Sequence, residues 1–478
     1  MGTPALFLCI LFIAYLLWQD VKRRKTLSWA IWMPTIFLMI VGSRPLSMWF
    51  GGGPVWSGQG LANNAEGSPI DQVFFFTLIV GCFVVATSRG AQWGKFFSSN
   101  FPLMVFYGYF LLSILWAEDP MGSTKRMFKD FGMLFVIGAI LTEKDPVEAI
   151  GAVFVRCGCV LFPLSAVCIK WFPAIARQFA INGDIMYTGV TTQKNTMGEI
   201  AIVFSLFMVW DYLETRPAKF RWSKLPWSRI LVLLMGVWCL QMCQSKTGLL
   251  CLLIGCGLLI RRGWLASKLV SRVAFFAALS VPYIIFFAQQ YSDLIAPIVS
   301  AVGRNMTFTG RADIWQHIDL NTVNPIIGYG YYNFWGGTGG ARVNQIMGET
   351  IPNAHDGYVD LYLDGGVIGL CCLCFMLISY SNRLIRIYNQ ARINRLRFAM
   401  LVAAVIYNVS ESNWARLSSI WFTTLLIMSY IPNLRPAARR VPAPAPAAPT
   451  RDRRAAAMAG DQPSYAEPIE SPRHHSLF

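Results

Sequence analysis

The sequence is poor in charge. Asp, Glu, Lys and Arg make up only 14% of its 478 residues, whereas 55% of the residues are hydrophobic. A soluble globular domain carries about 25% charged residues. The shortage therefore excludes a soluble globular domain. Apolar runs of membrane-spanning length recur along most of the chain instead, and they predict a polytopic membrane protein.

Cysteine is absent from the polar loops. All twelve cysteines fall in predicted membrane spans, where a free cysteine behaves as a small hydrophobic residue. This placement excludes a disulfide framework and gives no support to a zinc site. Internal repeats are also absent, which weighs against transporter folds that are built from two matched halves.

The apolar runs predict an all-α fold, a polytopic integral membrane protein of about 12–13 transmembrane helices with one large extracytoplasmic loop. The candidate spans cover residues 4–18, 27–43, 70–88, 101–117, 131–142, 147–172, 195–214, 229–244, 246–260, 273–289, 357–381, 398–410 and 417–433.

A net charge of +16 is typical of proteins that bind nucleic acids. Where the charges lie along the chain decides whether this interpretation applies. If the loop at residues 22–25 is cytoplasmic and the spans alternate, well over half of the 41 Lys and Arg residues fall on that face. This is the positive-inside asymmetry of membrane proteins. It puts the N-terminus outside and the C-terminus inside. It also makes the lipid bilayer the partner that explains the charge, with no nucleic acid needed.

The chain is predicted to be one transmembrane domain, residues 1–433, with its main outer loop at 290–356. Residues 434–478 are rich in Pro, Ala and Arg and low in aromatic residues. Such a composition cannot build a core, so we expect a disordered, basic cytoplasmic tail.

Histidine is scarce, and one of the four lies where the main outer loop re-enters the membrane. His355 stands there beside Asp356, which makes it the natural proton acceptor of a catalytic site. A purely structural histidine is the alternative. Asp356, Asp360 and Asp364 share one helical stripe, so a divalent metal there is conceivable. We predict no metal, because the stripe runs progressively into the membrane.

Cations at four separate helix ends lie on the same outer face. They are Arg311, Lys246, Arg126 and Lys194. A charge close to the hydrocarbon is costly, so each is a functional candidate. Together they would hold the pyrophosphate of a lipid-linked substrate. The alternatives are snorkelling for Lys246 and an ion pair with Asp313 or another carboxylate for Arg311. Trp315, Tyr331 and Trp335 in the loop could stack on sugar rings, and packing explains them equally well.

These motifs resemble the O-antigen ligase and O-antigen polymerase superfamily of bacterial membrane glycosyltransferases. The resemblance covers roughly residues 70–430 and is strongest from 187 to 370. His355-Asp356 with Gly366-Val367-Ile368-Gly369 is similar to the histidine motif of that family, whose second position is usually Asn, Ser or Gln. Ser245-Lys246-Thr247 is similar to a Ser-Arg segment, and Gly310-Arg311 through Trp315 to a Gly-Arg-x-x-x-Trp stretch.

Two further segments look more like the exopolysaccharide-production branch of the family than like the lipopolysaccharide ligases. They are residues 187–198 and residues 43–47.

The resemblance implies a multi-pass enzyme of the bacterial cytoplasmic (inner) membrane with a periplasmic active face. It would use an undecaprenyl-pyrophosphate-linked glycan as donor, a glycan or lipid as acceptor and no cofactor. Other membrane proteins of polysaccharide assembly are candidate partners. A polymerase of repeat units is the first expectation, and a ligase that moves a finished glycan onto a lipid or protein is the second. A flippase or transporter of lipid-linked sugars, or a scaffold of the secretion assembly, is the alternative from another class.

Overall fold

Helices dominate the protein. The computed structural model describes residues 2–51, 68–179, 183–215, 226–260 and 311–429. Within these ranges strands form only a short antiparallel hairpin of Arg177–Phe179 (β1) and Ile185–Tyr187 (β2), in which Gln178 pairs with Met186. The predicted all-α fold is confirmed.

The α-helices of the described ranges are numbered in chain order. They are α1 Gly2–Arg23, α2 Trp32–Val41, α3 Leu46–Gly51, α4 Pro69–Ser88, α5 Trp93–Ser99, α6 Phe101–Ser113, α7 Pro120–Leu141, α8 Pro146–Trp171, α9 Pro173–Ala176, α10 Lys194–Thr215, α11 Trp227–Met242, α12 Lys246–Ile260, α13 Arg311–Gln316, α14 Thr338–Met347, α15 Gly357–Ile387, α16 Arg392–Tyr407 and α17 Ser419–Met428.

Five of these helices are long and apolar enough to cross a membrane, namely α1, α4, α8, α10 and α15. The pair α5 and α6, extended to Trp116, would form a sixth span that is bent by 93°. Shorter apolar helices include α11, α12 and α17. The protein is therefore a multi-pass membrane protein, as the sequence predicts.

Every predicted span within the described ranges overlaps a helix. The span 273–289, the start of the main loop up to residue 310 and the tail 434–478 lie outside the described residues. The number of about 12–13 spans therefore stays a prediction. One boundary differs from expectation, because the segment 131–142 is only the second half of α7, which begins at Pro120.

Capping residues explain several helix starts. The Asp145 carboxylate accepts a hydrogen bond from the Glu148 amide, and Pro146 opens α8 with no amide to satisfy. Asp119 and Pro120 start α7 in the same way. This second cap puts Arg126, one of the predicted outer-face cations, in the second turn of a helix.

The helices pack in neighbouring sets. α1, α10 and α11 surround the buried helix α8, α4 lies along α7, α12 lies along α16, and α15 packs against α6. The segment at 311–356 has a small apolar core of its own. Its buried members are Ile314, Ile318, Val323, Phe334, Val343, Ile351 and, from the second turn of α15, Leu363. Because Leu363 belongs both to this core and to α15, the core fixes the segment on the start of α15.

A break in α15 completes the docking. Gly366 has φ +60° and ψ −161°, a conformation essentially restricted to glycine. Past the break, the amides of Val367 and Ile368 donate to the carbonyls of Pro325 (2.9 Å) and Ile326 (3.1 Å). The helix thus exchanges two of its own hydrogen bonds for bonds to the loop that precedes the site.

Candidate active site

Asp356 caps the start of α15. Its buried carboxylate accepts hydrogen bonds from the amides of Tyr358 (2.8 Å) and Val359 (3.1 Å). Burial raises the pKa of Asp356 to about 7, against the opposing effect of these two amides and of the Arg311 charge. Because this carboxylate is bonded to the amides of the first helical turn, the geometry favours a role for Asp356 in positioning the start of α15 over a direct role in the reaction.

His355 has an unusual backbone. Its φ of +52° lies in the left-handed region, which few non-glycine residues adopt. Its amide donates to the Asn353 side chain at 3.0 Å, which holds this turn. The imidazole is partly exposed, and its Nδ1 atom lies 3.4 Å from Oε2 of Glu411. The histidine predicted to be catalytic therefore faces a carboxylate that lies 56 residues further along the sequence.

Glu411 connects the histidine to the predicted anion-binding arginine. Its other oxygen, Oε1, accepts a 2.8 Å hydrogen bond from Nη2 of Arg311, the first residue of α13. One carboxylate thus contacts both His355 and Arg311. The ion pair that the sequence left open for Arg311 exists, with Glu411 as the partner.

The loop that carries Glu411 is bonded directly to the start of α15. The Asn408 carbonyl accepts from the Gly357 amide at 2.8 Å. The Asn408 side-chain oxygen accepts from the amides of Asn413 (2.9 Å) and Trp414 (3.0 Å). These bonds close a turn around Glu411 and hold it beside His355.

Two of the three predicted sugar-stacking aromatics lie next to the histidine. Trp315 donates its indole N–H to the carbonyl of Ala354 at 2.8 Å. Trp335 donates to Asp360 at 2.6 Å, and the same Asp360 oxygen accepts from the Ala354 amide at 2.9 Å. Both indoles therefore flank the residue that precedes His355, and both remain partly exposed.

Tyr331, the third predicted aromatic, is buried. Its hydroxyl donates to Asp130 at 2.9 Å and lies 3.2 Å from the Ala415 carbonyl. Only 2% of the residue is exposed, which leaves no ring face for a sugar. Packing, the alternative interpretation, accounts for Tyr331.

Arg126 lies against the loop. It donates to the Tyr332 carbonyl at 2.9 Å, and its guanidinium sits 4.9 Å from the Tyr332 ring. Arg416 lies 3.6 Å from the same ring. Two cations thus flank one aromatic ring, which favours attachment of the loop as the main task of Arg126.

The aspartate stripe of α15 contacts backbone amides and Arg416. Asp364 accepts from the amides of Asn333 (3.0 Å) and Phe334 (3.2 Å) and pairs with Arg416 at 3.0 Å. Arg416 is also 3.6 Å from Asp360. The stripe therefore serves helix capping and loop attachment, and the described residues contain no group of three or more potential ligands arranged to hold a metal.

Lys194 is the first residue of α10 and Lys246 is the first residue of α12. Both helix starts lie near the end of α16. The Tyr407 hydroxyl, at the end of α16, donates to the Asn195 carbonyl at 2.7 Å. A Cβ added at Gly198 would lie 3.1 Å from Ser245 and 3.2 Å from the Tyr407 hydroxyl. Both lysines are thus brought to the end of α16, shortly before Glu411.

Several turns around the candidate site contain a residue with left-handed backbone conformation. Among the described residues, non-glycine residues with positive φ are Gln244, Tyr332, His355 and Ala415. Each belongs to a turn that carries a candidate or a contact of the site. Strained backbone of this kind clusters at functional sites because the surrounding structure holds it in place.

Glu411 and Arg416 were not among the residues predicted for the site. Both follow α16 in a short loop with no motif of its own. The rule that singled out the cations, a charge at the outer membrane boundary, applies equally to carboxylates and would have found Glu411.

A small cavity opens on the segment that follows Arg311. Its volume is about 120 Å³, and it is lined by His317, Asp319, Thr322, Tyr329, Phe334, Thr338, Gly339 and Arg342. His317, in its lining, directly follows α13, the helix that begins at Arg311.

Two comparisons with known proteins found similar sequences. Residues 230–374 match the family described as O-antigen ligase. Over 169 residues the chain is 28% identical to the exopolysaccharide production protein ExoQ of Rhizobium meliloti (strain 1021). That alignment includes 33% of this chain and spans 39% of the length of the relative. The matched family region contains Lys246, Arg311 and His355 and ends before Glu411. The resemblance of this chain to the O-antigen ligase superfamily, and within it to the exopolysaccharide-production branch, is thereby confirmed.

Proposed function

We propose that the protein is a glycosyltransferase of polysaccharide assembly in the bacterial inner membrane. It takes glycans from undecaprenyl pyrophosphate at the periplasmic face and joins repeat units of an exopolysaccharide or O-antigen-type polymer. The contact of Glu411 with both His355 and Arg311 is the observation that carries the proposal. It couples a proton acceptor to an anion-binding cation, which are the two groups that this transfer needs.

His355 acts as the general base. Its Nδ1 atom faces Glu411, so in the tautomer that carries the proton on Nδ1 the Nε2 atom is left to accept the proton of an acceptor hydroxyl. The 3.4 Å contact is long, and catalytic hydrogen bonds of unliganded enzymes commonly tighten when substrate binds. A protonated His355 would be stabilised by the Glu411 carboxylate, in the way that a carboxylate supports the histidine of a catalytic triad.

Arg311 stabilises the leaving group. The acceptor oxygen attacks the anomeric carbon of the donor glycan, the bond from that carbon to the phosphate oxygen breaks, and undecaprenyl pyrophosphate departs with the negative charge. A guanidinium has five N–H donors, so Arg311 can bind phosphate oxygens while it contacts Glu411. Lys194 and Lys246, at the neighbouring helix starts, complete the cationic surface.

The acceptor glycan lies along the outer segment. Trp315 and Trp335 offer partly exposed ring faces beside His355 for sugar stacking. The cavity near His317 offers hydroxyl, carboxylate and guanidinium groups that can hydrogen-bond a more distant sugar residue of the acceptor glycan.

The proposal is tested by measuring the lipid-linked glycans of a deletion strain that is restored with either the native gene or His355→Ala at matched protein abundance. Single repeat units that accumulate on the outer-leaflet lipid, in both the deletion and the variant, are expected of a polymerase. Long lipid-linked chains would instead indicate a ligase. Repeat units trapped on the inner leaflet, with the variant fully active, would indicate a transporter and overturn the proposal.

A further inference from the structure

An ion-pair network joins four helices far from the candidate active site. We call it the basic cluster, and its described members are Arg23, Arg24, Arg156, Arg229, Asp20 and Asp211. Asp211 lies on α10 about 26 Å beyond Lys194, at 1.5 Å per residue, which is close to the thickness of a bilayer core. The basic cluster therefore lies at the opposite membrane face.

One half of the basic cluster is centred on Asp20. This buried carboxylate contacts Arg156 of α8 at 2.9 Å, Arg24 at 3.0 Å and Arg229 of α11 at 3.1 Å. The Arg156 guanidinium also stacks 4.6 Å from the Trp32 ring. Its Nη1 atom is buried and has no hydrogen-bond partner among the described residues.

The other half is centred on Asp211. Its Oδ1 atom contacts Arg24 at 2.7 Å, and its Oδ2 atom contacts both Arg23 (2.8 Å) and Arg229 (2.7 Å). Because they share one oxygen atom, these last two guanidiniums are immediate neighbours. They are also the exposed edge of the network, with 31% and 17% of their side chains accessible.

The charges within the basic cluster do not balance. Four guanidiniums face two carboxylates, which leaves an excess of two positive charges in a largely buried site. Glu148 lies nearby, where its carboxylate accepts from the Thr26 hydroxyl at 2.8 Å. With Glu148 included, the described groups still carry a net positive charge. Residues 216–225, outside the described part, add four cations and no carboxylate in sequence.

We infer that the basic cluster binds the phosphate of an anionic phospholipid headgroup between α1 and α11. Uncompensated charge at the edge of the hydrocarbon is costly, and a lipid phosphate would supply the missing negative charge without leaving the membrane. Basic pockets between transmembrane helices at the cytoplasmic side bind such headgroups. Arg23 and Arg229, adjacent and accessible, contact the phosphate first.

Purified full-length protein in neutral detergent tests the inference. The protein is mixed with phosphatidylglycerol, cardiolipin, phosphatidylcholine or inorganic phosphate. Its unfolding temperature is measured in each case, and native mass spectrometry measures the lipid that stays bound. The anionic lipids should raise the unfolding temperature and remain bound, and phosphatidylcholine should do neither. The double variant R23Q/R229Q should weaken binding at least about tenfold, since each surface cation contributes roughly fivefold to binding an anionic lipid.

Two matched variants separate binding from folding. R23K/R229K keeps both charges and should retain the anionic lipid, whereas Lys95→Gln removes an exposed cation elsewhere and should leave binding unchanged. Equal stabilisation by phosphatidylcholine, or full lipid retention by a folded R23Q/R229Q protein, would overturn the inference. Stabilisation by inorganic phosphate as large as that by lipid would overturn the assignment to a lipid headgroup.

Discussion

The Nδ1 atom of His355 lies 3.4 Å from a carboxylate oxygen of Glu411, although the two residues belong to different connections between helices. The second oxygen of Glu411 contacts Arg311 at 2.8 Å. The proposed base, the carboxylate that faces it and the proposed anion-binding cation are therefore held as one unit.

Glu411→Gln should slow glycosyl transfer without loss of the protein. The amide keeps the size of the side chain but cannot stabilise a protonated His355, so we expect a fall in rate of about 10²-fold, toward the lower end of the contribution of a general base. Transfer is measured in membranes at matched protein abundance. Glu349→Gln, which neutralises an exposed carboxylate of the outer segment, is the control and should be near native. A fully active E411Q protein would remove Glu411 from the mechanism.

Asp356→Asn should change the pH dependence of stability while it keeps the helix cap, because asparagine caps as well as aspartate does. Burial raises the pKa of Asp356 from 3.8 to about 7. The folded protein therefore holds this proton more tightly than the unfolded chain, so its stabilising effect is complete below pH 3.8 and is lost as the pH rises to about 7.

Thermal unfolding of the purified protein between pH 5 and pH 8 checks this. The native protein should lose stability with rising pH by more than D356N, and D356N should be the more stable of the two at the upper end. Parallel curves for the two proteins would contradict the assignment of a raised pKa to Asp356.

Arg416→Gln should be strongly destabilising. Arg416 neutralises Asp364 and Asp360, both buried, and its removal leaves uncompensated carboxylates, at a cost of about 3–5 kcal/mol. Arg342→Gln removes the exposed ion pair with Asp319 and should cost about 0–1 kcal/mol. Abundance in the membrane and unfolding temperature compare the two variants. Equal effects would show that the attachment of the loop does not depend on Arg416.

Gly366→Ala and Gly369→Ala should differ, although both glycines belong to the same motif. At Gly366 the backbone is in a region reserved for glycine, and a Cβ would clash with the Ile326 carbonyl, so we expect a loss of about 3 kcal/mol or more. At Gly369 a Cβ would lie 3.1 Å from the end of the buried Phe110 ring, a close contact rather than a clash with backbone, and the cost should be about 1 kcal/mol. Unfolding temperature and transfer activity are the measurements. A tolerated G366A would mean that the break in α15 is not required.

The sequence predicted the elements of the fold better than the connections of the site. Apolar periodicity located each described span, because a helix in lipid must satisfy its own backbone and leaves a long apolar run. His355 and Arg311 were predicted as site residues because each is a rare charge or base at a helix start. The boundary-charge rule, extended to carboxylates, indicates Glu411 as a candidate but not its contacts, because His355 and Arg311 lie far away in sequence and no local pattern records a contact between loops. Arg126 was predicted at a loop end and lies on α7, because Asp119 and Pro120 start that helix earlier than apolarity alone indicates.

The most direct test of the account is transfer by purified protein with a lipid-pyrophosphate-linked repeat unit as both donor and acceptor. Native protein and His355→Ala are compared at equal concentration after both are shown to be folded by their unfolding temperatures. We predict that the native protein extends the glycan and releases the lipid pyrophosphate. His355→Ala should be slower by about 10²–10⁴-fold, the usual contribution of a general base. Extension at a near-native rate by a folded H355A protein would contradict the assignment of His355 as the base.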